Sequence, residues 1–236
     1  MIAAILLAGG QSARMGSGIP DKALARVMGR SVFAWSAEAF SSSGVSEITV
    51  CVYRDETQRE ILLREASSCK DLHEVIWTQG GDERQDSVRN ALQVLPERTK
   101  AVFIHDCARP LVRAETLRSM SGALTEYPAV TLAHRMTDTL KKAEATETEG
   151  VFVTKSVDRQ SLWVMETPQA FELNLILQAH DHALKENLAL TDDVSAVEAL
   201  GQPVRLMETE YPNLKITTCG DLASVESLLA TRKVIA

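Results

Sequence analysis

Short apolar runs alternating with stretches of helical period constrain this chain most. Ile2 to Leu7 is continuously apolar and is closed by Gly9 and Gly10, and Glu47–Tyr53, Val75–Trp77 and Ala101–His105 are three further strand-like runs. Continuous apolar runs of this length suit strands buried on both faces of a parallel sheet. Between them, apolar residues recur at helical spacing: Val32, Phe33, Trp35, Ala39 and Phe40 over 31–42, then Val88, Ala91, Leu92 and Leu95 over 87–95. A charged helical stretch reaches about Ser67, and another helix is predicted over 115–124. The alternation predicts an α/β protein with a mostly parallel sheet. Ligands of such sheets bind beyond the carboxyl ends of the strands, so the loops after Leu7, Trp77 and Ile104 should share one edge.

The pattern breaks over 137–155, a polar stretch carrying Glu144, Glu147 and Glu149 with no periodic apolar face. It reads as a solvated loop or as an extended arm reaching a second subunit. Helices are predicted over 173–184 and 194–200, strands at Val204–Leu206 and Leu214–Ile216, and a last helix over 221–229 with Asp221 near its start.

A chain of 236 residues can bury a core as a single domain. With 45% hydrophobic and 24% charged residues it is not disordered, and a net charge of −7 argues against a general nucleic-acid surface. Cys51, Cys69, Cys107 and Cys219 form no C-x-x-C pair, which speaks against a zinc ribbon or a disulfide framework and for a reducing compartment. The apolar N-terminus lacks a preceding basic segment and reads as a strand, not a signal peptide. No apolar run has the length of a membrane span. The expected location is cytoplasmic.

The loop after the first strand, Ala8-Gly9-Gly10-Gln11-Ser12-Ala13-Arg14-Met15-Gly16 continuing to Asp21-Lys22, combines small residues with two cations. Small residues let backbone N–H groups converge on phosphate oxygens, and Arg14 and Lys22 add the charge a triphosphate needs. It is neither a Walker loop nor a dinucleotide fingerprint. His180 and His182, at i and i+2, face different ways on a helix and read as surface residues rather than a metal site.

Ala8-Gly9-Gly10 with Arg14-Met15 and a following lysine resembles the signature loop of the sugar-nucleotidyltransferase superfamily. The loop itself, with Asp21-Lys22-Ala23-Leu24, looks like the molybdenum-cofactor nucleotidyltransferases. The remainder resembles the 2-C-methyl-D-erythritol 4-phosphate cytidylyltransferase family. The matching pieces begin with Gly80–Val88, His105–Pro110, Asp138–Lys141 and Val157–Trp163. They continue through Thr167–Phe171, Thr191–Asp193 with Glu198, and Asn213–Thr217, in the family's order. Two departures stand out: Ser12 at the second-glycine position, and Asp21 inserted between Pro20 and Lys22 with the usual glutamine missing.

This resemblance implies a Rossmann-like three-layer sandwich with an extended arm over about 137–157, transfer of CMP from CTP to methylerythritol phosphate, a Mg²⁺ cofactor and a homodimer with shared active sites. It implies that Arg14 and Lys22 hold the triphosphate, and that Arg159 and Lys215 grip and aim the acceptor. Ala8, Gly9, Gly10, Ser12, Gly81, Asp82, Ser87 and Asp106 would surround the nucleotide, with Asp106 also a metal ligand. Thr139, Arg109 and Thr167 would contact the acceptor, Arg109 pairing with Asp106 or Asp192. Ribitol 5-phosphate or a molybdopterin as acceptor, or a nucleotide-binding regulatory homologue, are the alternatives.

Overall fold

The computed structural model describes residues 1–10, 21–69, 72, 74–145 and 148–235. The chain forms β1 (Ile2–Leu7), β2 (Arg26–Val27), β3 (Arg30–Ser31), α1 (Val32–Ser43), β4 (Ile48–Tyr53), α2 (Glu56–Ser67), β5 (Val75–Gln79), α3 (Arg84–Gln93) and β6 (Ala101–Asp106). It continues with α4 (Ala114–Ala123), β7 (Ala129–Arg135), β8 (Leu140–Ala145), β9 (Phe152–Val157), β10 (Trp163–Glu172), α5 (Leu173–Lys185), α6 (Asp193–Ala199), β11 (Arg205–Glu208) and α7 (Cys219–Ile235).

One sheet of seven strands runs in the order β11-β7-β10-β6-β1-β4-β5. The pairings β6/β1, β1/β4, β4/β5 and β11/β7 are parallel, while β10 runs antiparallel to both β6 and β7. The alternation of side chains along each strand sorts the core into two layers. Leu6, Cys51 and Phe103 face Phe33, Phe40, Leu62 and Leu117 of α1, α2 and α4. Ile5, Val50 and Ile104 face Val88, Ile176 and Val194 of α3, α5 and α6. Helices therefore cover both faces, which is why the central strands are apolar throughout. Each wholly buried Phe or Leu contributes roughly 1.5–3 kcal/mol from removal of apolar area from water.

Local chemistry fixes the helix ends. Ser31 caps α1 by accepting from the Ala34 N–H at 3.1 Å, and Gly44 ends it at φ 67°. The last helix begins at Cys219, where the Asp221 carboxylate accepts from the N–H groups of Thr217 and Thr218, both at 2.8 Å.

One expectation is resolved and two change. The polar 137–155 segment contains a two-stranded hairpin, β8 paired antiparallel with β9, whose side chains are almost all exposed. With both faces in water it carries no apolar stripe for a sequence pattern to show. Leu214–Ile216 is not a strand: Ile216 N–H donates to the Ala108 carbonyl at 2.8 Å, one bond where a ladder would make several. His180 is buried at 3% exposure, because its Nε2 meets the Asp193 carboxylate at 3.2 Å and that bond offsets its desolvation.

Candidate active site

Four strand ends build one surface. Ala8-Gly9-Gly10 leaves β1, Arg54 leaves β4, Gly80-Gly81 leaves β5, and Asp106 ends β6. Together with Lys22 and Lys215 they line a cavity of about 530 Å³. Gly9 allows a close approach: a Cβ there would lie 3.1 Å from the Tyr53 carbonyl carbon and would press on the backbone at the end of β4. A Cβ at Gly80 would lie 2.8 Å from Ser87 Oγ, and one at Gly81 would overlap the Asp86 side chain.

The tight turn over 80–83 is closed by Ser87 Oγ, which accepts from the Gly81 N–H at 3.1 Å and donates to the Glu83 carbonyl at 3.2 Å. Helix α3 starts earlier than its apolar period indicated, at Arg84, with Glu83 as the cap and Asp86 completing a capping box. Asp82 lines the cavity at this turn and is exposed.

A second cavity of about 280 Å³ adjoins the first and shares Arg84, Asp106 and Lys215 with it. Arg109, Thr167 and Asp192 line its far side. The dividing wall is a chain of charges. Lys215 Nζ lies 2.5 Å from Asp106 Oδ2, Arg84 Nε lies 3.0 Å from Asp106 Oδ1, and Arg84 Nη2 lies 2.8 Å from Asp193 Oδ2. Burial alone would raise the Asp106 pKa, but Arg84 and Lys215 outweigh it and hold the carboxyl far below the usual carboxylate range. Asp106 is thus an ionised carboxylate at 8% exposure, and burial of Arg84 is outweighed in turn by Asp193 and Asp106.

His105 sits behind this wall, wholly buried. Its Nε2 faces the Arg109 carbonyl at 3.2 Å, which can only accept, so Nε2 carries the proton and Nδ1 accepts from the Thr167 hydroxyl at 3.2 Å. The same hydroxyl accepts from the Asp106 N–H at 3.1 Å, so Thr167 is held by two bonds that set the position of the β6 end. Burial lowers the His105 pKa to about 3, and the ring is neutral at physiological pH. Burial also raises the Cys107 thiol well above its usual value, so it is no nucleophile.

Arg109 does not pair with Asp106 or Asp192. Arg84 and Lys215 take Asp106 and Gln169 takes Asp192, while Arg109 donates to the carbonyls of Asn213 at 2.7 Å and Met165 at 3.3 Å. Its Nε is buried and lacks a hydrogen-bond partner among the described residues. Asn213 in turn donates to Glu166 Oε2 and to the Thr167 carbonyl, both at 2.9 Å, and so pins the unladdered segment that carries Lys215.

Of the residues singled out in sequence, Ala8, Gly9, Gly10, Lys22, Gly81, Asp82, Ser87, Asp106 and Lys215 line the larger cavity. Arg109, Thr167 and Lys215 meet at the smaller one. Ser12 and Arg14 lie outside the described residues. Arg159 and Thr139 line neither cavity of their own chain. Both are exposed beside the β8/β9 hairpin, with the Arg159 guanidinium donating to the Thr137 carbonyl. Among the described residues, the expected meeting of four cations at one mouth holds within one chain for Lys22 and Lys215 and not for Arg159, which the hairpin carries outward. Sequence reading assigned no role to Arg84, Asp193, Glu166 or Arg54. Arg84 and Asp193 were visible inside the Gly80–Val88 and Thr191–Asp193 motifs, whereas Glu166 and Arg54 carry no local signal.

A glycine-edged cavity at the carboxyl ends of parallel strands, walled by cations and adjoining a second cavity across one carboxylate, is an arrangement suited to a nucleotidyltransferase. The comparisons make the class specific. The model of the 2-C-methyl-D-erythritol 4-phosphate cytidylyltransferase family matches residues 2–231, and this chain belongs to that family. It is similar to the enzyme so named from Geobacillus thermodenitrificans, at 39% identity over 97% of each chain. The crystal structure of the enzyme of that name from Thermus thermophilus aligns with a TM-score of 0.76 at 28% identity, over 97% of this chain and 98% of that one. The fold alone is also matched, at a TM-score of 0.83 and 24% identity over 98% and 96% of the two chains, by the 4-diphosphocytidyl-2C-methyl-D-erythritol synthase structure from Anaerococcus prevotii. No helix among the described residues is long and apolar enough to cross a membrane.

Proposed function

We propose that this protein transfers the cytidylyl group of CTP to 2-C-methyl-D-erythritol 4-phosphate and releases pyrophosphate, as a step of non-mevalonate isoprenoid synthesis in the cytoplasm. The observation that carries this reading is the pair of cavities sharing the Arg84–Asp106–Lys215 wall, one floored by glycines and one not. CTP fits the larger cavity, with backbone N–H groups at Gly9 and Gly10 and the Lys22 ammonium toward its phosphates. The turn holding Gly81, Asp82 and Ser87 takes its nucleoside.

A phosphate monoester is mostly dianionic at pH 7, since its second pKa is about 6. The acceptor oxygen therefore needs no general base. It attacks the α-phosphorus, the bond from that phosphorus to the bridging oxygen breaks, and pyrophosphate departs with the electron pair. The protein's task is to neutralise two anions and hold them in line. Lys215 stands on the wall between the cavities, and Arg109 and Thr167 line the acceptor side. Arg14 belongs with Lys22 on the triphosphate.

The site suits Mg²⁺. Asp106 is an ionised oxygen donor facing both cavities, and each of its oxygens keeps lone-pair capacity beyond the cation it already meets. A hard cation that takes one or two carboxylates plus phosphate oxygens and water would be held there and would spread charge over the triphosphate.

The working unit on this reading is a homodimer. The hairpin exposes Phe152 at 55% and Val153 at 65%, and it carries Thr139 and Arg159 away from their own cavities. Docking of that arm on a partner buries these side chains and brings Arg159 to the acceptor, beside Lys215 of the partner subunit. Pyrophosphate release with CTP and Mg²⁺, measured across methylerythritol phosphate, ribitol 5-phosphate and molybdopterin, tests the reaction. Release with methylerythritol phosphate alone is the expected result, and preference for another acceptor or no release overturns it.

A further inference from the structure

We infer that Arg54 is an additional nucleotide-contacting cation, held in place with Lys22 by a buried clasp of Asp21 and Gln58. The inference rests on the nucleotide reading of the larger cavity. Arg54 follows β4, the strand between β1 and β5, and so stands between the Gly9-Gly10 edge and the Gly80-Gly81 turn. It lines the same cavity as Lys22.

The clasp is specific in its bonds. Gln58 is 1% exposed, and its Nε2 donates to the Ala8 carbonyl at 3.0 Å and to Asp21 Oδ2 at 2.6 Å. Its Oε1 accepts from the Arg54 N–H at 2.6 Å. One buried amide thus ties the end of β1, the end of β4 and the segment that presents Lys22. Asp21 completes the tie: Oδ1 accepts from the Ala23 N–H at 2.9 Å, and Oδ2 lies 3.3 Å from Arg54 Nη1. Asp55 takes Arg54 Nε at 2.8 Å, so the guanidinium is oriented from two sides.

Asp21 is the residue inserted before Lys22 relative to the family pattern. Its buried carboxylate braces the lysine segment by accepting from the N–H of Ala23, the residue that stands in place of the family's glutamine. Two carboxylates beside Arg54 leave its fork of donors oriented but its charge largely balanced. Its contribution to the nucleotide is therefore one of directed hydrogen bonds more than of bulk potential. Arg54 touches substrate in this assignment. Asp21 and Gln58 are positioning residues.

Calorimetry of CTP with Mg²⁺, together with steady-state kinetics, decides the matter. Arg54→Ala is expected to weaken CTP binding about tenfold, the loss of one charge-assisted hydrogen bond, with the acceptor KM unchanged. Asp21→Asn, which keeps size but removes the charge from the brace, should raise the CTP KM and lower kcat together. Because both act through Arg54, the double variant should lose less than the product of the two single losses. An Arg54→Ala protein that melts like the parent and binds CTP within twofold of it overturns the assignment. A multiplicative double variant overturns the clasp. A parent that binds no CTP instead removes the nucleotide reading beneath both.

Discussion

Asp193 Oδ2 lies 2.8 Å from Arg84 Nη2, and because the same guanidinium also holds Asp106, the start of α6 is tied to the end of β6. Replacing Asp193 by asparagine leaves the shape and removes a charge from a buried pair, a change that costs about 3–5 kcal/mol when one partner is lost. Asp193→Asn should therefore destabilise the protein in urea unfolding at pH 7. Burial would raise the Asp193 pKa, but Arg84 and the His180 hydrogen bond hold it below the ordinary 3.8. A depressed carboxylate contributes stability that is complete above its unfolded pKa and is lost as pH falls through the folded one. The gap between parent and variant should accordingly be full above pH 3.8 and close below it.

His105 gives a second pH signature in a different window. With an ordinary pKa of 6.5 lowered by burial to about 3, it binds a proton in the unfolded chain and not in the folded one between those values. Its contribution is complete above pH 6.5 and declines as pH falls toward 3. Unfolding midpoints followed from neutral pH to about pH 4, above the range of Asp193, should slope less in His105→Gln than in the parent. Equal slopes would mean the ring is charged when folded.

The proposed sharing of active sites between two subunits makes a quantitative prediction. Arg159→Ala and Lys215→Ala proteins should each lose most turnover. Mixed after unfolding and refolding together, half the dimers carry one copy of each, and one of their two sites has both native residues. Pyrophosphate release should then recover to about a quarter of the parental rate. No recovery would place Arg159 and Lys215 in the same chain's site or in unrelated ones.

The turn after β5 admits no side chain. Gly81→Ala would drive a methyl group into Asp86 and break the Ser87 contact at 3.1 Å. The expected outcome is a CTP KM raised by at least about tenfold with a much smaller change for the acceptor, checked by initial rates at varied concentration of each. Comparable changes for both substrates would place the turn elsewhere in the reaction.

The central strands were legible because burial on both faces favours apolar residues, as in Ile2–Leu7 and Ala101–Ile104. The antiparallel β10 was not. Its sequence carries Glu166, Thr167, Pro168 and Gln169 through the middle of the sheet, and the polar side chains among them are satisfied mainly by partners distant in sequence, such as Asn213, His105 and Asp192. The glycine edges and Asp106 could be read because small residues and carboxylates at strand ends have few other uses. Arg84 could not be given a role, since its partners at 106 and 193 become neighbours only after folding. The hairpin resisted for the opposite reason: solvent on both faces erases the period.

With the substrates placed as proposed, the wall between the cavities links them thermodynamically. Whatever anion draws Lys215 from Asp106 leaves that carboxylate with one less counter-cation facing the other chamber. Occupancy on one side thereby resets the potential on the other, and the linkage acts with equal strength in both directions. A bisubstrate mimic spanning the divide meets that rearrangement once, and so should bind more tightly than its halves taken separately.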